Sequence, residues 1–86
     1  MHAKVLVTLR SGVLDPAGQA VADGLRQLGF DEVRVVRIGK VLEVQLDEGL
    51  TEEGARARLA EMAEKLLANP VIEDFDIEIH DGPRSQ

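Results

Sequence analysis

Residues 32–47, EVRVVRIGKVLEVQLD, constrain this chain more than any other stretch. A strand with one wet face alternates apolar and polar residues with a period of two. Here Val33 and Val35 occupy one parity, while Val36, Ile38, Leu42, Val44 and Leu46 occupy the other. A two-layer sandwich with one face in water has no use for apolar residues at both parities. Gly39-Lys40 leaves two geometries open: a two-residue hairpin turn between two strands, or a kink in one long bent strand. A bulge or a hairpin would switch the parity. The simpler reading is that part of the second sheet face is buried as well.

The flanking segments supply the first face. Residues 3–9, AKVLVTL, place Ala3, Val5, Val7 and Leu9 on one side and His2, Lys4, Thr8 and Arg10 on the other, with Leu6 as the exception. The corner RSGVLDPAG follows. Asp15 is the natural N-cap of a helix, and Pro16 suits its first position because the missing N–H has no helical partner there. Ala17, Ala20, Val21, Gly24, Leu25 and Leu28 form the stripe of that helix, and Gly29 stops it. Gly24 costs about 1 kcal/mol relative to alanine, which points to close packing against a neighbour. A second helix starts from Thr51 as N-cap, with Glu52 and Glu53 at the positive end of its dipole. Its stripe is Ala55, Leu59, Met62, Ala63, Leu66 and Leu67, and Asn69-Pro70 ends it. The last strand, VIEDFDIEI, turns Phe75, Ile77 and Ile79 inward and Asp74, Asp76 and Glu78 outward.

The order β-α-β-(β)-α-β predicts an α+β fold of ferredoxin-like type, two helices on one face of an antiparallel sheet. Residues 1–80 form one domain and residues 81–86, DGPRSQ, a frayed tail. Both helices are used on the first face, so cover for the second must come from another chain. The expectation is a dimer or tetramer that shares or swaps strands, with Leu6, Val36, Ile38, Leu42 and Val44 at the interface.

Chemistry is hard to find on this chain. Its 86 residues carry a net charge of −6, which gives nucleic acid or an anionic membrane no electrostatic footprint. Phe30 and Phe75 are the only aromatic residues and there is no cysteine, so base-stacking platforms, thiolate nucleophiles and cysteine zinc sites drop out. No run approaches the ~20 apolar residues of a membrane span, and a cytoplasmic location is expected. Gly12 and Gly18 do not fit phosphate-loop spacing, and the Asp15 carboxylate would itself occupy the anion-attracting helix end. Asp74, Asp76, Glu78 and His80 stand about 6.5–7 Å apart along one strand face, too far to converge on one ion. They are better used facing Lys4 and Arg10 across the ladder. His2 and His80, the only histidines, lie at opposite ends of the chain. No catalytic, cofactor-binding or metal-binding residue is expected.

GVLDPAGQAV, LGFDEVRVVRIGKVLEVQLD and EKLLANPVIEDFDIEI together resemble one family over residues 3–79, in order and without large gaps. It is PurS, the small third subunit of phosphoribosylformylglycinamidine synthase. The resemblance implies a role in the fourth step of de novo purine synthesis. There, formylglycinamide ribonucleotide, glutamine and ATP give formylglycinamidine ribonucleotide, glutamate, ADP and phosphate. It implies a non-catalytic subunit that holds a large synthetase subunit and a glutaminase subunit together so that ammonia passes between them. ATP, magnesium and glutamine would belong to the parent complex and none to this chain. Dimers that exchange a helix and a strand are implied too, which suits residues 32–47. The exposed corner with Arg10, Val13, Leu14 and Asp15 is then a candidate partner contact. The rivals are an ACT-like regulatory domain, with the same element order and an amino acid bound between protomers, and an enzyme using Asp15 and the acidic strand.

Overall fold

The computed structural model describes residues 1–80; the expectation for the tail lies outside them. The elements are β1 (His2–Leu9), α1 (Pro16–Gln27), β2 (Lys40–Gln45), α2 (Glu52–Met62) and β3 (Glu73–His80), and α2 runs directly into a π-helical turn at Ala63–Leu67. β1 lies at the centre of a three-stranded antiparallel sheet ordered β2-β1-β3. Its alternation works as expected: Ala3, Val5 and Val7 are buried. Val5 faces Leu42 on one side and Ile77 on the other, and Ala3 faces Val44 and Ile79. These residues meet Leu59, Ala63 and Ala68 to make the core. The fold is α+β and ferredoxin-like.

The long apolar run behaves as neither a hairpin nor a continuous paired strand. Only Lys40–Gln45 is laddered; among the described residues no strand pairs with residues 33–39. A two-residue hairpin at Gly39-Lys40 would need a positive φ in its turn, and Gly39 has none. Its backbone instead lies so close to the Val7 carbonyl and the Thr8 side chain that a Cβ would collide with them. The chain passes straight through, and the strand that would complete a four-stranded sheet leaves along its own axis.

α1 follows that departing segment. Its buried positions are Gly18 and Ala22, one turn apart, not the expected stripe, and Leu28 is 76% exposed. The core contains no residue of α1. Among the described residues nothing lies near the missing Cβ of Gly24, so the close neighbour expected there is not among them. α1 and residues 33–38 form an arm beside the three-stranded body. The radius of gyration is 16.3 Å, against about 12 Å for a compact domain of this length.

On α2 the Thr51 hydroxyl accepts from the Gly54 N–H at 2.9 Å, as a cap should. Ala55, Leu59 and Ala63 are buried, while Met62 and Leu67 pack partly against the core. Leu66, expected in the stripe, is 85% exposed. The cause is the wide last turn, in which the Ala68 N–H reaches back to the Ala63 carbonyl at 2.9 Å. One added residue in the turn rotates Leu66 outward and brings Ala68 into the core.

Candidate assembly site

The corner after β1 joins body to arm. Asp15 is held by two backbone donors: Gly18 N–H gives to one carboxylate oxygen at 2.9 Å and Ile38 N–H to the other at 2.8 Å. The Ile38 bond, then the Gly18 bond, hold its pKa below the ordinary value, with Arg37 adding attraction. So Asp15 caps α1 and also clips residues 33–38 to the start of the helix. Gly18 makes this approach possible, because any Cβ there would run into the Val36 carbonyl. Arg37 donates to the carbonyls of Leu9 and Arg10, and Arg26 to that of Val33 at 3.0 Å. With the carboxylate seated on the helix N-terminus, the corner is built for tertiary ties and not for phosphate.

The four residues proposed for partner contact separate in character. Arg10 is engaged within the chain: it pairs with Asp74 at 3.5 Å and donates to the Pro70 carbonyl at 2.5 Å. Asp15 is the clip. Val13 is half-buried and Leu14 is 69% exposed. Both border a groove of about 410 Å³ between α1 and the extended segment, together with Arg34, Val35 and Arg37. Val35 is 74% exposed.

The five candidate interface residues lie on three surfaces. Leu42 and Val44 are on the helix-bearing face, half-buried against the chain's own core. Beside them is an apolar groove of about 400 Å³ formed by Val44, Met62, Leu66 and Leu67. Leu6 is on the opposite face, in register with exposed Val41. Val36 and Ile38 belong to the arm, Val36 half-buried and Ile38 exposed.

The acidic strand pairs as its spacing suggests. Lys4 lies between Glu43 and Glu78 in the ladder, and Arg10 meets Asp74. Among the described residues, no three His, Cys, Asp or Glu side chains gather to hold a metal ion, and no helix is long and apolar enough to cross a membrane. One feature escaped the sequence reading: His2 and His80 are directly opposed, their rings stacked with centroids 5.3 Å apart. The signal was the antiparallel register of the first and last strands, which places residues 2 and 80 side by side.

The family model described as "PurS: Phosphoribosylformylglycinamidine (FGAM) synthase" matches residues 2–81. The chain belongs to the PurS family. It is 53% identical over 78 residues to phosphoribosylformylglycinamidine synthase subunit PurS of Synechocystis sp., covering 91% of this chain and 77% of that relative. The crystal structure of Methanocaldococcus jannaschii PurS matches with a TM-score of 0.84 at 36% identity, over 95% of this chain and 98% of that one. A chain in the structure of PurLQS from Thermotoga maritima matches with a TM-score of 0.71 at 32% identity, over 91% and 96%.

Proposed function

We propose that this chain is the small, non-catalytic subunit of a phosphoribosylformylglycinamidine synthase of de novo purine synthesis. It holds the large synthetase subunit and the glutaminase subunit in one assembly, so that ammonia released at one site reaches the other without loss to water. The observation that carries this reading is the near end-to-end match to a chain within the PurLQS structure. The form of the molecule supports it. An arm carrying exposed Leu14, Leu28 and Val35 is a shape for contact, and large apolar residues left in water favour association. ATP, magnesium and glutamine are assigned to the partner enzymes, and the assembly to the cytoplasm.

A second copy of the chain is the further partner in this reading, and the arm supports it. An unladdered extended segment with a helix beside it is the element that protomers exchange at low cost. The ACT-like alternative has no observation in its favour. The test is an assay of the synthetase and glutaminase subunits with and without this chain, fed glutamine or an ammonium salt. Glutamine-dependent turnover should collapse without the chain while ammonium-dependent turnover survives. Equal glutamine-dependent rates with and without it would overturn the reading.

A further inference from the structure

We propose that the groove between α1 and residues 33–38 receives an acidic segment of one of the two enzyme subunits, with Arg34 gripping its carboxylate. This rests on the assembly role proposed above and names the chemistry of one contact in it. The chain has 16 acidic residues against 10 lysines and arginines, so its cations have carboxylates to choose from. Arg10 pairs with Asp74, Arg26 with Asp23 and Arg58 with Glu61. Arg56 donates to the Ile77 carbonyl at 3.1 Å, and Arg37 to those of Leu9 and Arg10. Among the described residues, Arg34 is the one arginine whose side chain has neither a hydrogen bond nor an ion pair.

The charged residues lining the groove of about 410 Å³ are Asp15, Arg26, Arg34 and Arg37. Asp15 does not neutralise Arg34. Both of its oxygens are taken by backbone donors at 2.9 and 2.8 Å, and the cation that acts on it is Arg37. A positive groove on a chain of net charge −6 is the reverse of its surroundings, and it directs a negative group to one place. The guanidinium fork matches a carboxylate with two parallel hydrogen bonds. Leu14, 69% exposed, and half-buried Val13 line the same groove. Apolar surface next to a cation suits a protein segment with an acidic residue beside an aliphatic one, not a free inorganic anion. A second copy of the chain fits less well, since its Asp23, Glu61 and Asp74 already hold arginines and its Glu43 and Glu78 flank Lys4.

Arg34 is exposed, so Arg34→Glu should leave the melting temperature and sedimenting mass of the chain alone unchanged. Binding of the full chain is then measured to the synthetase subunit, to the glutaminase subunit and to the two together. Arg34→Glu should weaken it by about tenfold or more, because like charges meet across the contact. Wild-type affinity should fall with added sodium chloride, and that of the Arg34→Glu chain should vary less. In the Arg34→Lys chain a carbodiimide should couple the introduced amine to an aspartate or glutamate of one enzyme subunit, located by mass spectrometry. Undiminished binding by Arg34→Glu, or coupling only to a second copy of this chain, would overturn the proposal and leave the assembly role standing. A wild-type chain that binds neither subunit, alone or together, would overturn both.

Discussion

Asp15 shows how one carboxylate carries two structural duties. It caps α1 through Gly18 and fastens the arm through Ile38. Because its folded pKa lies below the ordinary value of 3.8, the charged form stabilises the fold. That stabilisation is present above 3.8 and disappears as pH falls through the lower folded value. The difference in melting temperature between wild type and Asp15→Asn should therefore be constant at neutral pH and shrink towards zero in strong acid. Melts recorded as a function of pH check this; a difference that grows in acid would contradict it. The cap was legible from Asp15-Pro16 alone, since its chemistry is local. The tie to Ile38 was not, because nothing in the sequence says which distant N–H a spare carboxylate oxygen will meet.

The elements show where periodicity suffices and where it fails. β1 and β3 were readable because strict alternation has one solution once a core lies on one side. α2 was readable up to Ala63, after which the wide turn shifts the pattern by one position. Leu59 and Leu66 separate these two regimes. Leu59→Ala should cost about 3 kcal/mol, since a fully enclosed leucine leaves a cavity. Leu66→Ser should change the stability of the isolated chain by no more than about 0.5 kcal/mol. Urea denaturation of both variants decides it; equal losses would return Leu66 to the core. The run 32–47, read as carrying more apolar surface than one chain can cover, leaves Val35, Ile38 and Val41 exposed in the single chain. Its path was not readable, because a turn at Gly39-Lys40 and a straight passage use the same residues. The glycine is there for close approach to Val7 and Thr8, not for a turn.

At the scale of the molecule, the chain extends 50 × 32 × 15 Å. One core, built on β1 and α2, serves the body, and the arm has no core of its own. Self-association through the arm predicts that melting temperature rises with protein concentration, as it does whenever folding and association are linked. Leu28→Ser combined with Val35→Ser should lower the sedimenting mass towards that of a single chain, while the far-ultraviolet circular dichroism of the body persists. A wild-type chain that sediments as a monomer with a concentration-independent melt would refute it. The five residues expected at a single interface fall on three surfaces because parity assigns a residue to a face only when the strand is in a sheet, and Val36 and Ile38 are not.

The arm is joined to the body by two short crossings, residues 10–15 and 38–39, and Arg37 and Asp15 lock these crossings to each other. Three hydrogen bonds thus bridge the hinge at which the arm would otherwise swing, so a load placed on α1 is carried through them to the ends of β1 and β2, and the arm acts on the body as a lever.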